Sequence, residues 1–191
     1  GELADIDLST LDFDFELDED ARKKKRWQKI TKRCNLKMYM RSLSITGYQC
    51  MCFFQTGKDG IALEEIKAQQ YVPLFVDNAV DYITDAFGTG LKGWALVTTP
   101  RRRHAADTFH FATAICRDVA DRLNIPFYED ILRTDNRDRI NPRFSLEGTI
   151  EEDNVFLYDD IVTTGVTMRV SRELLEGEGK TVYEIAAISN R

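Results

Sequence analysis

Residues 155–167, VFLYDDIVTTGVT, constrain the fold of this chain more than any other segment. Val155-Phe156-Leu157-Tyr158 is a short apolar run suited to a strand covered on both faces. Such a strand delivers the next two residues, Asp159 and Asp160, at its carboxyl end, which is the edge of an open α/β sheet where ligands sit. Thr163-Thr164-Gly165-Val166-Thr167 then turns into a helix. Gly165 permits a tight turn, and the first amides of the helix carry partial positive charge. A phosphate dianion suits that position, with the hydroxyls of Thr163, Thr164 and Thr167 as further donors. The segment therefore sets two carboxylates beside an anion cup, a spacing that matches the hydroxyls and the phosphate of one sugar phosphate.

The neighbouring pattern agrees with an α/β sheet. Trp94-Ala95-Leu96-Val97 reads as a first buried strand. A helix is expected from about His104 to Leu123, with Ala105, Phe109, Ala112, Cys116, Val119 and Leu123 along one side and Asn124 and Pro126 ending it. A strand near 125–131 and a polar stretch over 133–143 follow. A second helix starts near Thr164, turns Val166, Val170 and Leu174 inward, and ends at Gly177 and Gly179. Residues 182–188 make the last strand. This alternation predicts a parallel twisted sheet of about five strands flanked by helices. Upstream, residues 36–56 predict a hairpin turning at Thr46-Gly47, and residues 61–70 a helix. A short helix capped by Asp77 or Asn78 carries Val76, Ala79, Val80, Ile83 and Phe87 to a stop at Gly88. The expected division is a charged arm or helix at 1–35, a hairpin and helix region at 36–93, and a core at 94–191.

Composition excludes some functions. With 26 basic and 32 acidic residues, the net charge of −6 disfavours general nucleic-acid binding. The basic block of residues 22–33 follows an acidic arm and reads first as a solvated helix that offsets it, with nucleic-acid binding ranked last. No apolar run is long enough to span a bilayer, so no membrane role is expected. Cys34, Cys50, Cys52 and Cys116 include one C-x-C pair and no second pair to complete a zinc site. They read as reduced thiols, which places the chain in the cytoplasm. A strand ending in Asp-Asp also suits the second nucleotide-binding element of NTPases, but no G-x-x-x-x-G-K-[ST] loop accompanies it. His104 and His110 read as helix-surface residues, and Trp94 as packing at a strand end.

The run VFLYDDIVTTGVT resembles the signature of type I phosphoribosyltransferases that binds 5-phosphoribosyl-1-pyrophosphate (PRPP). By that resemblance Asp159 and Asp160 hold the ribose hydroxyls and are the catalytic carboxylates. Ile161, Val162, Thr163, Thr164, Gly165, Val166 and Thr167 wrap the 5′-phosphate. Mg²⁺ enters with PRPP, meeting Asp159 and Asp160 mostly through substrate oxygens and water. Thr98-Thr99-Pro100-Arg101-Arg102-Arg103 stands where the family has its pyrophosphate-binding loop, and guanidinium forks match pyrophosphate oxygens. Residues 133–143 stand where the family has a flexible closing loop, which makes Arg137, Arg139 and Arg143 candidates to touch pyrophosphate. Residues 36–93 take the place of the family's hood.

Across residues 94–188 the order of motifs most resembles the ComF-like, competence-associated branch, without the paired-cysteine module that opens many of its members. The resemblance implies a transferase that passes the phosphoribosyl group of Mg·PRPP to a small-molecule acceptor, a nitrogenous base, and releases pyrophosphate. A homodimer is compatible with it. The alternative it leaves is a non-catalytic PRPP-sensing or competence-related regulatory protein.

Overall fold

The computed structural model describes residues 41–45, 48–55, 67, 69–101, 109–136, 138 and 140–189. The charged arm at 1–35, the Thr46-Gly47 turn, residues 104–108, and Arg102, Arg103, Arg137 and Arg139 lie outside the described residues.

Strand β6 (Asn154–Val162) carries the signature segment and lies one strand in from the β3 edge of the sheet. Val155, Phe156, Leu157 and Tyr158 are all buried, as a strand covered on both faces requires. It is flanked in parallel by β3 (Trp94–Thr98) and β7 (Thr181–Ser189), with Leu96 opposite Phe156 and Tyr158 opposite Ile185. β2 (Tyr48–Gln55) continues the sheet parallel to β7, and β1 (Arg41–Ile45) closes that edge antiparallel to β2. Among the described residues the order is β1-β2-β7-β6-β3. Residues 41–93 thus add a hairpin to the same sheet that carries the signature strand.

Three helices cover the sheet. α1 (Val72–Phe87) packs on α2 (Phe111–Leu123), where Phe75 meets Phe111 edge-on at 5.4 Å. Phe156 faces this side, stacked on Trp94 at 4.1 Å and edge-on to Phe87. Val155 and Leu157 point the other way, as strand alternation demands, into a core with Met168 and Leu175 of α3 (Val166–Gly177). Among the described residues no helix is long and apolar enough to cross a membrane.

Several expected boundaries move. α2 begins at Phe111, not near 104: His110 is extended, with φ −121° and ψ 115°, and caps the helix, so Phe109 is exposed rather than inward. α1 begins at Val72, because Pro73 is favoured in a first turn and Tyr71 precedes it in a 3-10 turn (Gln69–Tyr71). Asn78 is buried inside that helix rather than at its start. The strand expected near 125–131 is reduced to one parallel bridge, Leu96 to Phe127. Pro126 supplies only its carbonyl there, and Asp130 turns the chain at φ +57°. β4 (Leu132–Thr134) and β5 (Phe144–Leu146) follow as a separate antiparallel pair.

On α3 the buried face is Met168, Ser171, Arg172 and Leu175, while Val166, Val170 and Leu174 are only half-buried. An arginine can occupy that face because Glu184 of β7 meets it. The two side chains form an ion pair, each 2% exposed, and Glu176 accepts from Arg172 Nε at 3.3 Å. Removing one member strands the other charge. Arg172→Met is therefore expected to cost about 3–5 kcal/mol in urea unfolding, whereas Arg172→Met with Glu184→Leu recovers most of that loss. A double variant no more stable than the single one would contradict this account.

Candidate functional site

At the carboxyl end of β6 the ladder to β3 runs one residue past the strand, where the Thr99 amide donates to the Tyr158 carbonyl at 3.0 Å. This brings the Thr99 side chain to the Asp159 carboxyl, which also accepts from the Ile161 amide and shares a hydrogen bond with Asp160. Burial at the cleft floor pushes the Asp159 carboxyl well above the usual carboxylate range, and the charge and hydrogen bond of Asp160 push the same way. The bonds from Thr99 and Ile161 oppose them without winning. Asp160 is 8% exposed and is not left open, for Lys67 Nζ lies 2.6 Å from its Oδ2.

The turn after β6 is built on Gly165, which sits at φ +87° and ψ 2°. A side chain in that left-handed conformation costs roughly 1–2 kcal/mol, so the glycine is a conformational requirement. Thr163 and Thr164 are exposed, Thr164 Oγ1 lies 3.4 Å from the Val166 amide, and α3 has no side-chain cap. The first amides of a helix have no partner within it; here that of Val166 donates to Thr164 Oγ1, and those of Thr167 and Met168 follow it along the cavity lining. Thr163, Thr164, Gly165, Val166, Thr167 and Met168 form one wall of a cavity of about 610 Å³.

The opposite wall comes from separate elements: Thr99, Pro100 and Arg101 after β3, His110 at the head of α2, and Lys67 ahead of α1. Arg101 is 10% exposed, 3.9 Å from Asp130. His110 Nδ1 accepts from the Thr113 amide at 3.3 Å and contacts Thr113 Oγ1 at 2.6 Å. Burial, then the positive charge of Arg101 and Lys67, lowers the imidazole's pKa against the pull of Asp160 and Asp130. With Nδ1 accepting from the Thr113 amide, Nε2 is the nitrogen left to donate. Behind the floor, the Cys116 thiol is buried and pushed upward by burial and by both carboxylates.

The structure gathers most of the residues expected from the sequence. Asp159, Asp160, Ile161, Val162, Thr163, Thr164, Gly165, Val166 and Thr167 line one cavity with Thr99, Pro100 and Arg101. Thr98 is buried in β3 and does not line it. Arg143 does not reach the cavity either. It lies on a shallower groove with Arg169 and Glu173, because the 135–143 turn is tied to itself. Asn136 Oδ1 takes the Arg143 amide at 2.9 Å, and Asp138 Oδ1 takes the amides of Ile140 and Asn141. Ile140 at the tip of that turn forms part of the cavity's rim. Sequence reasoning missed Lys67 and His110. The spacing of His110 and Thr113 is that of a cap and the third helical residue, which was the available signal for the histidine.

No protein-family model and no curated protein matches the sequence. The fold does have solved counterparts. An adenine phosphoribosyltransferase superposes with a TM-score of 0.53 at 14% identity, covering 84% of this chain and 89% of that one. The adenine phosphoribosyltransferase of Saccharomyces cerevisiae, in complex with D-2,5-dideoxy-2,5-imino-altritol 1,6-bisphosphate and adenine, gives 0.54 at 13% identity, covering 85% and 89%. The chain has the type I phosphoribosyltransferase fold.

The raised Asp159 carboxyl sets a direction for pH dependence. Its contribution to stability is complete below the ordinary carboxylate value of about 4 and is lost as pH rises through the raised value. Asp159→Asn stays neutral throughout. It should raise the melting temperature at about pH 8 and change it little at about pH 4. A gain confined to the acid side would show that the carboxyl is not destabilised where it sits.

Proposed function

We propose that this chain binds Mg²⁺·PRPP in the cavity at the end of β6 and transfers the phosphoribosyl group to a nitrogenous base, releasing pyrophosphate. One observation carries the reading: the diacid Asp159-Asp160 and the amide-lined turn at Gly165 stand side by side, at the end of one buried strand, in one cavity. The fold shared with adenine phosphoribosyltransferases supports it.

Each part has a role that follows from its chemistry. The turn from Thr163 to Thr167 and the head of α3 take the 5′-phosphate through amides and hydroxyls. Asp159 and Asp160 take the ribose 2′- and 3′-hydroxyls, a fixed contact that orients C1′ toward the arginine side. Thr99, Pro100 and Arg101 face the pyrophosphate. The C1′–oxygen bond breaks with its electron pair leaving on pyrophosphate, and a base nitrogen forms the new bond to C1′. The positive charge that develops on the sugar lies over the diacid. Asp159 or Asp160 receives the proton of the acceptor.

Among the described residues no group of three or more histidines, cysteines, aspartates or glutamates gathers to hold a metal. One or two carboxylates with substrate oxygens and water suit Mg²⁺, which sheds its water reluctantly, and Asp159 and Asp160 provide that set. Bound there, Mg²⁺ would neutralise charge on the departing pyrophosphate.

Asp160→Asn is expected to weaken Mg²⁺·PRPP binding by about tenfold or more, since a charge-assisted bond to a sugar hydroxyl becomes a neutral one. Calorimetry measures this, and unchanged affinity would falsify the assignment. The acceptor is found by pyrophosphate release from Mg²⁺·PRPP with a panel of bases. Adenine comes first, as the base named for both structural counterparts.

A further inference from the structure

Among the described residues two cations, Arg101 and Lys67, reach the cavity, and each already has an acid beside it. Arg101 lies 3.9 Å from Asp130, and Lys67 Nζ lies 2.6 Å from Asp160 Oδ2. They differ in freedom. The Arg101 side chain is 10% exposed, whereas that of Lys67 is 32% exposed and ends in a compact ammonium on a flexible four-carbon stem. Of the two cations, Lys67 is thus the one with room to change partner. His110 is the opposite case, since Thr113 pins its ring and leaves only the Nε2 proton to offer.

Lys67 and Asp160 come from unrelated parts of the chain, one ahead of the turn into α1 and the other at the end of β6. On the PRPP reading, on which this inference rests, a ribose hydroxyl that binds Asp160 must take the place of the ammonium. The displaced cation then needs another anion. A sugar carrying pyrophosphate at C1 brings one more highly charged than a carboxylate, to the wall where Arg101 and His110 already stand. A sugar phosphate without pyrophosphate breaks the same ion pair and gives Lys67 nothing in exchange.

We infer that Lys67 is an exchanging cation that makes this cavity select a sugar phosphate bearing pyrophosphate over one bearing none. It holds Asp160 before substrate arrives and moves to pyrophosphate when the ribose hydroxyls claim that carboxylate. Charge is conserved through the exchange: Asp160 gives up an ammonium and gains hydroxyl donors, while the pyrophosphate gains the ammonium. The selectivity comes from a side chain outside both the signature segment and the arginine run.

The test compares two ligands that differ at C1, one bearing pyrophosphate and the other a free anomeric hydroxyl. PRPP and ribose 5-phosphate are titrated calorimetrically, with Mg²⁺ present, into the full chain and its Lys67→Gln variant. PRPP affinity should fall about tenfold in the variant, as a charge-assisted contact is lost. Ribose 5-phosphate affinity should hold or rise, because no ion pair has to break, so the ratio between the two ligands falls by at least the same factor. Lys67→Arg keeps the charge and should keep most of the ratio, which separates this effect from damage to the fold. Equal changes for both ligands, or no change, in Lys67→Gln while the wild-type chain binds PRPP would overturn the inference and leave the PRPP reading intact. A wild-type chain that does not bind PRPP overturns both.

Discussion

Two adjacent carboxylates at the end of a buried strand repel each other, and much of the cavity can be understood as a response to that repulsion. Desolvation makes the problem worse, because the floor of the cavity gives neither charge the screening of bulk water. The surroundings answer the two residues differently. Asp159 is met by neutral donors, the Thr99 side chain and the Ile161 amide, and its carboxyl still sits well above the usual range. Asp160 is met by a full positive charge from Lys67. Strand alternation explains the division. Asp160 shares the face of Phe156 and Tyr158, the side covered by α1 and α2, where Lys67 and His110 stand. Asp159 follows Val155 and Leu157 toward the side of α3.

That difference gives the cavity two unlike walls. The wall at Gly165 is largely backbone: a left-handed glycine, the first amides of α3, and hydroxyls within a few residues. Its geometry is set as soon as β6 and α3 are packed, and the packing is anchored deeper by the Arg172–Glu184 pair between α3 and β7. The other wall is assembled from long side chains on three elements distant in sequence. A backbone wall cannot be retuned without moving the strand or helix that forms it. A side-chain wall can change residue by residue while the sheet stays as it is.

The same distinction explains what the sequence revealed. The strand, the diacid, the glycine turn and α3 form one continuous segment, so residues 155–167 could be read as a unit with its chemistry attached. The parallel strands β3, β6 and β7 followed from apolar runs in the same way, whereas the joining of β1 and β2 to their sheet did not, since residues 36–93 read as a region apart from it. Boundaries set by single residues were harder to see. α2 looked longer because its apolar spacing runs on into Phe109, whereas the His110 cap sets its start. The inward face of α3 was misjudged because pattern reading does not place an arginine in a core, and Arg172 is buried only because Glu184 lies on a strand twelve residues later. Lys67 was invisible for a related reason: its partner is nearly a hundred residues away, and no local pattern marks a lysine that closes on a strand end.

A fold shared at 13–14% identity with two adenine phosphoribosyltransferases is compatible with this division of labour. The demands that fix the architecture here are few and local: a four-residue apolar run, a glycine able to hold a positive φ, and a helix start left without a side-chain cap. Many sequences can satisfy those demands, so overall identity can drift far while the backbone wall persists. The side-chain wall carries no such constraint from folding. In this chain its cations arrive from the segment ahead of α1 and from the loop after β3, and a histidine donor from the cap of α2. On the PRPP reading, discrimination among ligands that share a phosphate and a ribose is therefore to be sought in residues such as Lys67, Arg101 and His110 rather than in the signature segment, whose geometry the fold already dictates.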